Sequence, residues 1–149
     1  MKYLDLHCDT LMNAYIMRRE DICQMPGHLD AKRMKEGGQL AQFFAIFMPP
    51  PGEEARLNRS GPIDDEEYIA FCMAVFENTM VRCGENIASA RSVADILANE
   101  KAGKVSALLS LEDGRAVNGS MERLEAFYQS GVRMIGLTWN GENCFGCPH

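Results

Sequence analysis

The octapeptide Tyr3-Leu4-Asp5-Leu6-His7-Cys8-Asp9-Thr10 sets one imidazole and two carboxylates at alternate positions near the start of the chain. Read as a buried strand, it turns Asp5, His7 and Asp9 to one face and Leu4, Leu6 and Cys8 to the other. A helix would hold His7 and Asp9 roughly 200° apart, too far round to grip one ion. An imidazole and a carboxylate converging at a strand end suit zinc or a similar divalent cation. The plainer alternative is a strand end whose polar residues simply meet solvent. A second candidate lies at the other end of the chain. Cys144-Phe145-Gly146-Cys147-Pro148-His149 offers three ligands for a structural zinc module, without the second cysteine pair that would complete it. A redox Cys-x-x-Cys opens a helix after a strand, whereas this one falls in a loop.

The elements that must position these groups follow from periodicity and punctuation. Leu11 to Arg19 predicts a short helix, and Asp30 caps another that runs through Met34 to Glu36 and stops at Gly37-Gly38. Leu40 to Phe47 is almost continuously apolar, as in strands covered on both faces. A polar loop, Glu53 to Pro62, with Arg56, Asn58, Arg59 and Ser60, leads to Asp64-Asp65-Glu66-Glu67, whose charges favour a helix amino terminus. Ile69, Met73, Phe76 and Met80 continue at helical spacing, so these methionines read as core filling. Ser92 opens a further helix closed by Gly103, and Val105 to Leu111 makes the third strand. Ser120 caps a helix over Met121–Gln129, Gly131 ends it, and Val132 to Thr138 is the fourth strand. The order β-α-β-α-β-α-β with helix-length connections requires a parallel sheet with helices packed on it. His7, Asp9, Glu112, Asp113 and Asn140 all then follow strand carboxyl ends, where α/β proteins gather their sites.

Composition narrows the function. The 149 residues include 46% hydrophobic and 24% charged side chains, ordinary for a globular protein. A formal charge of −6 argues against a nucleic-acid partner, which needs clustered Lys and Arg. No apolar run approaches the roughly 18–20 residues that cross a bilayer, so no membrane role is expected. Met1-Lys2 runs directly into the first strand, leaving no apolar leader. The six cysteines are therefore expected as free thiols and the protein as cytoplasmic.

Together these segments resemble the N-terminal half of a membrane (renal-type) dipeptidase, a zinc metallopeptidase family of the amidohydrolase-like superfamily. Asp5-Leu6-His7-Cys8-Asp9-Thr10 is similar to its first-strand Asp-x-His-x-Asp motif. Gly37-Gly38-Gln39-Leu40-Ala41-Gln42-Phe43-Phe44 is similar to its second strand, and Leu109-Ser110-Leu111-Glu112-Asp113-Gly114 resembles the Glu-Gly-Gly-type segment after strand three. Leu124 to Arg133 and Leu137-Thr138-Trp139-Asn140 resemble its next helix and strand. The resemblance implies a partial (β/α)8 TIM barrel, about its first four β/α units, with residues 1–149 as one N-terminal half-domain. It implies His7 and Asp9 as ligands of one metal, and Glu112 as the catalytic carboxylate bridging two zinc ions. In a binuclear hydrolase the two ions activate a bridging hydroxide for attack on a peptide carbonyl. Asp5 would orient His7 through the second ring nitrogen; strand-edge hydrogen bonding explains it as well. The substrates implied are dipeptides, including those with a D-residue at the second position.

Two departures stand out. Animal members carry a substrate-binding histidine where this chain has Trp139. The second metal's histidines come from strands five and six, and neither His28 nor His149 occupies such a place. A complete barrel takes about 250 residues. The chain is thus expected to be a truncated part of a longer enzyme, or a half that pairs with another chain or its own copy, and inactive alone. Rival readings are an interaction protein built on half a barrel, and another metal-dependent amidohydrolase. Asp9 opposes the latter, since those enzymes usually carry His-x-His on strand one.

Overall fold

The computed structural model describes residues 2–49, 52, 54–57 and 63–148, leaving aside the side chains of Glu54 and Arg56. Asn58, Arg59, Ser60 and His149, named above, lie outside the described residues. The strands are β1 (Tyr3–Asp5), β2 (Gln39–Phe47), β3 (Ile87–Ser89), β4 (Val105–Glu112) and β5 (Val132–Ile135). The helices are α1 (Thr10–Ile16), α2 (Ala31–Glu36), α3 (Asp65–Arg82), α4 (Val93–Lys101) and α5 (Met121–Gln129). A 3-10 turn over Glu54–Leu57 interrupts the stretch read as a polar loop.

Local chemistry sets most of the boundaries. Asp30, Asp64, Ser92 and Ser120 each accept a hydrogen bond from the backbone N–H three residues on, satisfying a donor that the first helical turn leaves free. Gly38, Gly103 and Gly131 follow α2, α4 and α5 with positive φ, where a side chain would be strained.

All strand pairs are parallel. β4 lies at the centre: β2 runs along one edge, while β3 pairs with Val105–Ala107 and β5 with Leu109–Leu111 on the other. The sequence reading of four strands misses β3, whose three residues are too few to show a period. It also draws two strands too long. β5 ends at Ile135, and β1 ends at Asp5 and is exposed rather than buried. β1 has a strand neighbour on one side, and Leu4 and Leu6 remain 43% and 57% exposed. The parallel register nevertheless reaches past β1, because Ala45 N–H donates to the Cys8 carbonyl at 3.0 Å.

The two faces of the sheet are packed differently. Phe44 and Ile46 of β2, with Met48 just beyond it, join Leu109 and Leu111 of β4 in the main core, against α1, α2, α3 and Phe127 of α5. Each large apolar side chain buried there contributes about 1.5–3 kcal/mol. On the opposite face Ala41 and Leu108 pack with Ala90, Phe43 and Ile96 of α4. α4 is held at the amino end of this face. Asn99 Nδ2 donates to Ser106 Oγ at 3.1 Å, and Lys2 pairs with Glu100 at 2.6 Å. Glu112 shares the parity of Ser106 and Leu108, and so projects from this second face at the strand's other end.

One expectation about cysteine fails. Cys23 and Cys83 form a disulfide, while Cys8, Cys72, Cys144 and Cys147 are free. The pair is brought together by the long return of α3, which nothing in their spacing of 60 residues announces. A cytoplasmic location thereby loses its thiol argument. Among the described residues no helix is long and apolar enough to cross a membrane.

Candidate metal centre

Glu112 ends the central strand, and its backbone is fixed on one side by Met48 N–H, which donates to the Glu112 carbonyl at 3.3 Å. His7 lies two residues beyond β1, and Asp9 occupies the position before α1 without capping it by its side chain. The Asp9 carboxylate is therefore left for other work. The chain folds these three side chains into one group. His7 Nε2 stands 3.3 Å from Asp9 Oδ1 and 3.3 Å from Glu112 Oε2. One ligand atom from each lies within 4.8 Å of the others, and this is the metal-capable group found among the described residues.

The spacing has a direct reading. Two ligand atoms about 2.0–2.1 Å from a tetrahedral zinc ion are separated by about 3.3–3.4 Å. The donor set, one imidazole nitrogen with two carboxylates, fits a divalent cation by both chemistry and distance. Burial pushes the Glu112 carboxyl above the usual carboxylate range, and Asp9 and Asp113 push it further, while His7 acts the other way. Close acids on an open face gain from a cation that relieves their repulsion. The adjacent Cys8 thiol is driven up to about 11, mainly by burial, so it stays protonated and is a poor ligand or nucleophile.

The remaining sequence candidates are placed as follows. Asp5 Oδ1 accepts the His7 backbone N–H at 3.1 Å, so its recorded contact holds the main chain around the imidazole. Trp139 packs edge-on against Phe47, ring centres 5.0 Å apart, beside the strand pair Phe47–Glu112. Asn140 is exposed and His28 lies in an exposed loop. Cys144 and Cys147 are exposed, with Sγ atoms near the carbonyls of Gly114 and Pro148 respectively.

Sequence reasoning missed the structure immediately after Glu112. Asp113 is 2% exposed and has φ 81° and ψ 114°, a conformation that L-residues rarely adopt and that costs of order 1–3 kcal/mol. Its Oδ1 accepts the Arg115 backbone N–H at 2.9 Å and a hydrogen bond from Asn143 Nδ2. Asn143 Nδ2 also reaches the Leu137 carbonyl at 2.8 Å, and its Oδ1 accepts Phe145 N–H at 2.8 Å. Phe145 packs against Gly114, where a Cβ would come within 2.5 Å of the ring. Arg115 then anchors the turn outward, pairing with Asp65 and donating to the Pro49 carbonyl at 2.9 Å. The available signal was a buried acid before Gly114 in a strand-to-turn junction; its Asn143 partner lies 30 residues away and left no local trace.

Residues 1–147 match the family described as membrane dipeptidase (peptidase family M19). The chain belongs to that family of metal-dependent peptidases. It is similar to a metallopeptidase of Rhodobacter sphaeroides solved with a phosphinate mimic of the dipeptide L-Ala-D-Ala, at 25% identity and a TM-score of 0.76. That match covers 99% of this chain and 48% of the other. A structure titled dipeptidase AC gives a TM-score of 0.75 at 24% identity, covering 94% of this chain and 43% of that one. An uncharacterised protein from the PQQ-III 3′ region of Acinetobacter calcoaceticus is 29% identical over 158 residues, 95% of this chain and 50% of its own length. The chain thus spans about half the length of the relatives it matches. Its parallel sheet and flanking helices are part of the barrel-like fold of these dipeptidases.

Proposed function

We propose that His7, Asp9 and Glu112 hold a zinc ion in a dipeptidase that cleaves short peptides, and that this chain provides one part of its active site. The observation that carries the reading is the convergence of one imidazole and two carboxylates on the open sheet face, each carboxylate 3.3 Å from the imidazole nitrogen. When bound, the metal supplies a Lewis-acidic centre that polarises the peptide carbonyl and lowers the pKa of water. Glu112, at the tip of the central strand, would also serve as a ligand of a second ion in this reading, and Asp5 steadies the backbone that presents His7. Trp139 stands beside the site as an apolar wall and cannot donate the hydrogen bonds of a histidinium. The remaining ligands and the opposite wall would come from the rest of the barrel, whether continuous with residues 1–149 or in a paired chain. The likeness to a protein bound to an L-Ala-D-Ala mimic supports a D-residue at the second position.

The test compares the intact protein with its His7→Ala and Glu112→Gln variants on a panel of L,L- and L,D-dipeptides, with zinc content measured for each. Hydrolysis that follows zinc content and disappears in both variants is expected. An intact, folded protein inactive on every dipeptide, or unchanged zinc content in His7→Ala, would overturn the assignment. The rival half-barrel interaction protein would bind zinc weakly and leave every peptide intact.

A further inference from the structure

We propose that Asp113 and Asn143 are positioning residues, clamping the loop after β5 onto the turn after β4 so that Glu112 and the Trp139 wall are set as one unit. This rests on the metal reading above. The backbone gives the first argument. An L-residue held at φ 81° persists only where its surroundings over-determine it, and Asp113 is fixed by the Arg115 N–H on its own turn and by Asn143 from the next loop. Glycine would adopt this conformation freely. The acid at this place therefore gains no backbone advantage, and what it adds is the local bond from Arg115 N–H and the bond across to Asn143.

Asn143 is equally committed. Its Nδ2 bridges Asp113 and the Leu137 carbonyl, its Oδ1 holds Phe145 N–H, and its own N–H donates to the Gly146 carbonyl at 3.0 Å. The same seam is closed by Gly114 N–H to the Leu137 carbonyl at 3.3 Å, and by Phe145 seated on a position that tolerates only glycine. One end of this assembly is the peptide of Glu112. The other carries Trp139, which meets Phe47 directly across the strand pair from Glu112. Loosening the clamp should therefore release the orientation of the Glu112 carboxylate and the position of the indole together.

Trp139 is the sole tryptophan of residues 1–149, so its emission reports the loop independently of any metal once every tryptophan outside these residues is replaced by phenylalanine in all variants. The experiment prepares the intact protein as wild type, Asp113→Gly, Asp113→Asn, Asn143→Ala and the Asp113→Gly/Asn143→Ala double variant. Emission maximum, acrylamide quenching, thermal midpoint and zinc affinity by chelator competition are measured for each. Asp113→Gly relieves the backbone and should keep or raise the thermal midpoint, while red-shifting the emission and weakening zinc on the order of tenfold, as loss of a group orienting a ligand does. Asp113→Asn keeps both acceptor bonds and should behave as wild type. Asn143→Ala should reproduce the emission change, and the double variant should add little to either single one. Unshifted emission in Asp113→Gly, zinc affinity within about twofold of wild type, or Asp113→Asn as impaired as Asp113→Gly would overturn the inference. A wild-type protein that binds no zinc would sink the metal reading instead, and the emission series would still decide the clamp.

Discussion

The candidate metal group is assembled from two unequal supports. Glu112 ends an eight-residue central strand whose neighbours are β2 on one edge and β3 and β5 on the other. His7 and Asp9 follow a three-residue, exposed strand paired on one side, and depend on α1 and the loop behind it. The difference teaches that ligands of one ion need not share one stability. The β4 side is fixed by the main core of this chain, while the β1 side leaves Leu4 and Leu6 in water. Local opening concentrates where few apolar contacts resist it.

The largest break in this comparison should come from the core side. Phe44→Ala removes a fully buried ring that meets Phe76 at 6.0 Å, and should lower unfolding free energy by about 3–5 kcal/mol in denaturant melts. Leu6→Ala, in contrast, should stay within about 0.5 kcal/mol in this chain, as surface substitutions do. A cost above that would show the β1 edge to be covered. Next comes the brace behind α1. Replacing Cys23 and Cys83 by serine together should cost about 2–4 kcal/mol under non-reducing conditions, and nothing further should be lost on adding a reductant.

These two regions also differ in how openly the sequence declared them. Phe44, Ile46, Leu109 and Leu111 lie in long apolar runs, and Asp30, Ser92 and Ser120 are strong capping residues, so the order of the longer strands and helices was legible. Leu4 and Leu6 misled, because apolar alternation signals a strand without saying how many neighbours cover it. Ile87–Ser89 was too short to announce itself. The histidine and two acids of the candidate centre were legible by type and by place after strand ends. The Asp113–Asn143 bond and the Cys23–Cys83 link were not, since each joins residues far apart in sequence through packing that no local pattern encodes.

A smaller effect should separate the two supports by pH. Burial alone would raise the Asp30 carboxyl, but hydrogen bonds from Arg33 and from Met25 N–H outweigh it and hold Asp30 below its ordinary range. A depressed folded pKa contributes stability that is complete above the unfolded value of about 3.9 and lost as pH falls through the folded one. Asp30→Asn should therefore flatten the acid limb of the stability curve below about pH 4 while leaving its neutral slope unchanged. Urea melts across pH 2–7 would read this directly. The smallest effect is expected from Lys2→Ala. Its pair with Glu100 is half-exposed and should contribute at most about 1 kcal/mol, diminishing with salt.

The bond between Cys23 and Cys83 has a consequence for the integrity of the chain as a molecule. It closes a ring that contains α2, β2 and the whole of α3. A single peptide cut anywhere inside that ring leaves one covalent particle, in which the segment bearing His7 and Asp9 stays joined to the segment bearing Glu112. Such a nicked protein would remain one particle without reductant, heavier than the uncut chain by the water of hydrolysis, and divide in two with it.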